Sequence, residues 1–271
     1  MLHQTGAAHA PEAAMNAQPA TAWIRPVATL LLGSALWGCA HAPWTAPQPT
    51  VDTRHLDDTV QRAMADTGAR GLAVAVVDGG QVVFTKAYGV RNASGEPLQV
   101  DTVMYGASLT KAAFGHLVMQ LVEEGKLGLD VPIASYLKQP LPSYASPDTV
   151  RRYSAFAGLA RDERWRRLTA RILLTHSGGF SNFYFLEPDR QLRIHFEPGS
   201  RHAYSGDGLI LLQFVLEQGL GLDVGAQMHQ RLFAPNGMTR TSLIWRPDFR
   251  PNLADGFTQD GRPEPHDERS K

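Results

Sequence analysis

A serine and a lysine three residues apart, Ser108 and Lys111, stand in the run Gly106-Ala107-Ser108-Leu109-Thr110-Lys111. On a helix, residues at this spacing share a face one turn apart. A serine hydroxyl is a weak nucleophile until a neighbouring base takes its proton, and a lysine amine in apolar surroundings can assist. If the pair opens a buried helix, the helix dipole favours developing negative charge and a free backbone N–H can face an oxyanion. Gly106 and Ala107 leave room for a substrate before the serine. Ser-x-x-Lys alone recurs by chance, and a serine N-cap with a surface lysine has the same letters. The chemistry therefore depends on the elements that position the pair.

Those elements are legible from periodicity. A helix is expected from about Asp52 or Thr53 to Thr67, with Leu56, Val60 and Met64 on one face and Gly68 ending it. Leu72 to Val77 and Gln81 to Tyr88, joined by Asp78-Gly79-Gly80, describe a β-hairpin, and the apolar first strand implies cover on both faces. Residues 108 to about 124 form the clearest helix: Phe114, Leu117, Val118, Leu121 and Val122 recur at helical spacing, and the scarcity of polar residues marks a buried central helix stopped at Gly125. On this helix His116 is expected to pack in the core. The Pro-, Ser- and Arg-rich stretch from Pro140 to about Arg167 reads as a surface insertion with short helices and a solvated arginine face. Further helices are expected after Thr169 to near Gly178, over Leu209–Gln218 and over Val224–Leu232.

Of 271 residues, Lys and Arg together number 26, as do Asp and Glu, so the formal net charge is zero and nothing steers the chain to nucleic acid. The single cysteine, Cys39, excludes an intrachain disulfide. Arg25, the apolar run Val27 to Trp37 and the ending Leu36-Trp37-Gly38-Cys39 describe an export signal, and the last four residues resemble a bacterial lipobox, whose cysteine is lipidated. The run is roughly half the length needed to span a bilayer as a helix. The expected organisation is an export signal over 1–38, a Pro-rich tether over 39–54, and a folded domain over 55–271. The protein is then lipid-anchored on the periplasmic side of a bacterial cell envelope, with a plain secreted or periplasmic form as the alternative. Met15 would give a more typical signal length than Met1.

Several stretches together resemble one family. The Ser-x-x-Lys run and Glu123-Glu124-Gly125-Lys126-Leu127-Gly128-Leu129-Asp130 come first. Leu173-Leu174-Thr175-His176-Ser177-Gly178-Gly179-Phe180, Phe196-Glu197-Pro198-Gly199-Ser200 with Tyr204-Ser205-Gly206, and Phe233-Ala234-Pro235-Asn236-Gly237-Met238-Thr239-Arg240-Thr241 follow in order. This series resembles the serine β-lactamase and penicillin-binding-protein-like family, in its class C and esterase-like branch. The resemblance implies an α/β (more narrowly α+β) fold of the β-lactamase/transpeptidase type, with a helical region packed on an antiparallel sheet and the active site between them. It implies Ser108 as nucleophile, Lys111 as the residue assisting its deprotonation and Tyr204 as a proton-transfer residue. No metal or organic cofactor is implied. The substrate would be an ester, a β-lactam or a D-Ala-D-Ala-type cell-wall peptide, cleaved through a serine acyl-enzyme.

The sequence departs from the family pattern twice. Where many members carry an amide-binding Asn two residues after the tyrosine, this chain has Gly206, followed by Asp207. These are candidate substrate-binding positions, with Asp207 a conceivable substitute for the amide. The family's later Lys/His-Thr/Ser-Gly triplet, which supplies an oxyanion N–H, has no counterpart after Tyr204. The chain thus reads as a family member lacking its C-terminal portion, with an incomplete sheet, an unpaired hairpin edge and weak turnover on its own; a single missing oxyanion donor already costs a factor of about 10²–10³. The competing class is a non-catalytic or decayed envelope lipoprotein that binds peptidoglycan-like ligands. His195, His202 and His229 lack metal-ligand spacing, and no phosphate loop, dinucleotide fingerprint or Gly-x-Ser-x-Gly elbow is present.

Overall fold

The computed structural model describes residues 52, 53 and 55–264. The expectations for the export signal, for Cys39 and for nearly all of the tether fall outside these residues.

Helix α1 (Leu56–Thr67) turns into the hairpin through Gly68, whose φ of 70° is left-handed. Strands β1 (Gly71–Asp78) and β2 (Gln81–Gly89) pair antiparallel, Gly71 opposite Gly89 and Asp78 opposite Gln81, with a bulge at Val76/Val77. The tight connection needs positive φ at both central positions, which Gly79 (58°) and Gly80 (76°) supply. Asp57 ties α1 to β2, its Oδ1 accepting from Lys86 Nζ and Tyr88 Oη, both at 2.7 Å. The expected cover on both faces of β1 is not met. No residue of β1 is fully buried, and Val77 and Val82 are exposed, because among the described residues β2 is its only strand partner.

Helix α2 (Thr110–Glu123) follows a 3₁₀ turn over Ala107–Leu109 and buries Phe114, Leu117, Val118 and Leu121. Its opposite side is open: His116 is exposed, within 3.3 Å of Gln120, so it is a surface residue rather than the expected core histidine. The more thoroughly buried helix is α5, described below.

The stretch 140–167 also departs from expectation. It holds the short α3 (Pro147–Arg152) and several 3₁₀ turns, but it is no surface insertion. Leu141, Tyr153, Phe156, Leu159 and Trp165 are core residues. Its arginines follow the solvated reading, with Arg151, Arg166 and Arg167 exposed against Asp148, Glu163 and Glu197. Arginine-rich composition hid an apolar face because the charges lie between the buried positions.

Helix α4 (Ala170–Leu174) is capped by Thr169, whose Oγ1 accepts from the Ile172 N–H at 3.2 Å. Helix α5 (Gly206–Phe214) starts at the cap Ser205, continues as a π-helical turn over Val215–Gly219, and is buried nearly all round. Phe214 lies at its centre, edge-on to Tyr144 and Tyr153 at 4.9 and 5.0 Å and tilted against Phe156 at 4.7 Å. Helix α6 (Val224–Met228), prolonged by a second π-helical turn over His229–Phe233, packs against α2. The two-residue strands β3 (Gly256–Phe257) and β4 (Pro263–Glu264) form a second antiparallel pair. Residues 252–254 reach back to the segment before Ser108, with Val103 N–H donating to Asn252 O at 2.8 Å and Ala254 N–H to Val103 O at 2.9 Å. The architecture is a helical body with two small antiparallel sheets that, among the described residues, do not close.

Candidate active site

Ser108 sits in the 3₁₀ turn that leads into α2. The residue before it, Ala107, has φ of 41°, an uncommon conformation for a residue with a side chain and one that concentrates at functional turns. The Leu109 N–H donates to Gly106 O at 2.9 Å and closes the turn. Lys111, one turn on, donates from Nζ to Ser108 Oγ at 3.1 Å. The helical spacing read from sequence thus produces the contact it predicts.

Tyr204 arrives from the other side. Its hydroxyl donates to Ser108 Oγ at 2.6 Å, and Lys111 Nζ lies 5.0 Å from the centre of its ring. The structure therefore brings together the three residues Ser108, Lys111 and Tyr204. Hydrogen bonding to Lys111 first, then to Ser108, holds the Tyr204 phenol below its ordinary value near 10. That shift favours the form able to take a proton from Ser108.

The segment holding Tyr204 is fixed by the loop after α4. Ser205 Oγ donates to Ser181 O at 2.8 Å and accepts from the Gly208 N–H at 3.0 Å. The Gly206 and Asp207 N–H groups both donate to Asn182 O, at 2.8 and 3.0 Å. His176 lies beside Tyr204, ring centres 4.6 Å apart, with His202 edge-on to His176 at 5.8 Å.

A cavity of about 430 Å³ opens at Ser108, and its walls are mostly apolar: Phe114, Phe183, Leu209, Ile210 and Leu243. Gly206 belongs to this wall but contributes no side chain. A Cβ there would stand 2.4 Å from Phe183 Cε1, so the phenylalanine ring occupies the space a larger residue would need. Asp207, the other candidate substrate-binding position, does not line this cavity. It is fully buried on the neighbouring side of α5, where its Oδ2 accepts from the Tyr184 N–H. Burial pushes its carboxyl up to about 7, only partly opposed by Tyr184 and by the nearby Ser154. Neither Asp207 Oδ1 nor Ser154 Oγ has a hydrogen bond of acceptable geometry. Asp207 is the second residue of α5 and borders the adjoining cavity with Tyr184, Ile210 and Gln213.

Phe183 and the tyrosine-facing role of His176 were not read from the sequence. His176 was visible inside a motif, whereas Phe183, in an aromatic run with Tyr184 and Phe185, gave no local signal.

Residues 56–270 match the Beta-lactamase family model. The chain belongs to the beta-lactamase family. Lovastatin esterase of Penicillium rubens is 32% identical over 73% of this chain and 55% of its own length. D-alanyl-D-alanine-carboxypeptidase/endopeptidase AmpH of Escherichia coli is 28% identical over 81% of this chain and 58% of its own. Among solved structures, D-alanine carboxypeptidase AmpC from Burkholderia cenocepacia superposes with a TM-score of 0.62 at 25% identity, covering 80% of this chain and 58% of that one. This beta-lactamase-family chain thus spans rather more than half the length of such relatives.

Proposed function

We propose that this chain is a serine hydrolase that cleaves carboxylic esters with an apolar acyl group through an acyl-enzyme on Ser108. The observation that carries the reading is the placement of two proton-handling groups on one hydroxyl: Tyr204 Oη at 2.6 Å and Lys111 Nζ at 3.1 Å from Ser108 Oγ. When Tyr204 is ionised, the short contact reverses and the phenolate accepts the Ser108 proton. Oγ then attacks the ester carbonyl carbon. Collapse of the tetrahedral intermediate breaks the bond to the alkoxide, which takes the proton from Tyr204 as it leaves. Water, deprotonated through the same group, releases the acid and restores Ser108.

The apolar cavity wall favours an ester over a β-lactam or a D-Ala-D-Ala-type peptide. Gly206 offers no side-chain amide to a substrate amide, and its own N–H is already held by Asn182. The esterase name of the Penicillium rubens relative supports the same choice. The test is labelling of the full chain with a fluorophosphonate probe and a fluorescent penicillin, alongside hydrolysis of p-nitrophenyl butyrate. Fluorophosphonate labelling lost in Ser108→Ala, with weak butyrate hydrolysis, is expected. No labelling at all would instead support a non-catalytic envelope protein that binds peptidoglycan-like ligands, and preferential penicillin labelling would support the peptidase class.

We also propose, from residues 25–39 alone, that the protein is exported and held at the bacterial envelope by lipidation of Cys39. Incorporation of labelled palmitate in a bacterial host, absent in Cys39→Ser, is the expected outcome. A soluble periplasmic product would replace the anchor with a plain export signal.

A further inference from the structure

His176 holds both neighbours of Tyr204. Its carbonyl oxygen accepts from the Ala203 N–H at 2.8 Å, and its Nδ1 accepts from the Ser205 N–H at 3.2 Å. Between these two bonds the imidazole lies against the phenol ring, centres 4.6 Å apart and planes inclined by 34°. One residue thus contacts the backbone on each side of Tyr204 and the ring itself. To do so it adopts φ of 53°, a left-handed conformation that is uncommon for a residue with a side chain.

We infer that His176 is a positioning residue for Tyr204: in its neutral form it keeps the phenol oxygen on Ser108, and its protonation releases that hold and lowers nucleophile reactivity on the acid side. The inference rests on the acyl-enzyme reading above. A ring nitrogen that accepts from an amide carries no proton, so the neutral imidazole has its proton on Nε2. Adding a second proton requires Nδ1 to give up the Ser205 bond. The resulting cation would face Tyr204, with Lys111 of α2 and His202 as the charged and titratable neighbours. Burial, the largest cause, together with His202 and Lys111, holds His176 below its ordinary value of 6.5. The neutral, bonded state therefore persists through neutral pH.

Two variants separate positioning from mere packing. His176→Leu removes the acceptor and the imidazole. His176→Asn offers an amide oxygen near the place of Nδ1, tolerates positive φ and does not titrate. The readout is the rate of fluorophosphonate labelling of the full chain against pH. Wild type should show a step in that rate below pH 6.5. The leucine variant should lose on the order of 10²-fold in rate at neutral pH, as expected when a reacting group is displaced by about 1 Å. The asparagine variant should fall between the two and lack the acid step. An acid step retained in His176→Asn, or a wild-type rate in a folded His176→Leu, would overturn the inference. A second measurement does not depend on labelling. The ultraviolet titration of the Tyr204 phenol, isolated by difference against Tyr204→Phe, should shift to higher pH in His176→Leu because the phenol drifts from Lys111. Equal midpoints would also overturn the inference. Wild type that fails to label while this midpoint still shifts would count against the acyl-enzyme reading alone.

Discussion

Tyr204 and Ser108, 96 residues apart in sequence, stand with their hydroxyl oxygens 2.6 Å apart. The contact joins the start of α2 to the residues just before α5, so two separate helix starts meet at one oxygen. Its chemistry depends on Lys111, which reaches Ser108 Oγ and favours ionisation of the Tyr204 phenol.

Removing each partner should therefore affect the same step. Tyr204→Phe keeps the ring against His176 but removes the proton acceptor, and a loss of about 10²–10⁴ in kcat/KM for p-nitrophenyl butyrate is expected, the usual range for a general base. Ser108→Ala should reach the same floor, and the double variant should cost no more than Ser108→Ala alone. Additive losses would show that Tyr204 acts on something other than Ser108.

The pH profile tests the link to Lys111. Tyr204 works as a base only when ionised, so activity should rise with pH through a midpoint below its ordinary value near 10. In Lys111→Gln the cation is gone and the midpoint should move up. The deficit relative to wild type should then be larger at pH 7 than at pH 10. A deficit that stays constant over that range would place the role of Lys111 elsewhere.

How much of this was legible in the sequence follows from the range of the forces involved. The Ser108–Lys111 contact is local and was written in helical spacing. The hairpin was written in two β-rich runs joined by Asp78-Gly79-Gly80. The order of motifs identified the family and, through it, Tyr204. The burial of residues 140–167 was not legible, because Phe156 and Trp165 pack against Phe214 and the rest of the core from far along the chain while arginines dominate the local composition. The inward turn of Asp207 was hidden for the same reason: what decides it is the surroundings of α5, not the residue type. The exposure of His116 was not legible, because it lies on a narrow open stripe with Ala112, Met119 and Glu123 on a helix that is otherwise mostly apolar.

Asp207 gives a stability prediction with a definite sign. Its folded-state value of about 7 lies above the ordinary 3.8, so the folded protein binds this proton more tightly than the unfolded chain. The associated stabilisation is complete below pH 3.8 and is lost as pH rises through about 7. Asp207→Asn cannot ionise, keeps an oxygen for the Tyr184 N–H and can donate to Ser154 Oγ, which lacks a partner. The variant should be more stable than wild type at pH 8 by on the order of 2 kcal/mol, the range for relieving a buried unsatisfied group, with the advantage shrinking towards pH 4. Thermal melts at both pH values check this; an advantage independent of pH would mean that Asp207 does not titrate across that range.

Gly206 and Phe183 should couple. A Cβ at Gly206 would meet Phe183 Cε1 at 2.4 Å and Cζ at 2.8 Å, closer than atoms can pack. Phe183 is itself stacked on Phe185, ring centres 5.0 Å apart and planes 9° from parallel, so its ring cannot move freely. Gly206→Ala should therefore cost about 1–3 kcal/mol of stability, as overpacking does. Phe183→Leu frees part of the space and widens the cavity at Ser108. In a double-mutant cycle the pair should be less damaging than the sum of the single changes by at least about 0.5 kcal/mol, measured by urea denaturation. The same double variant should accept bulkier acyl groups than wild type, because Phe183 lines the cavity wall that the acyl chain would meet. Additive stabilities would mean that the ring yields at no cost, and the acyl preference would then be set by Leu209, Ile210 and Leu243 instead.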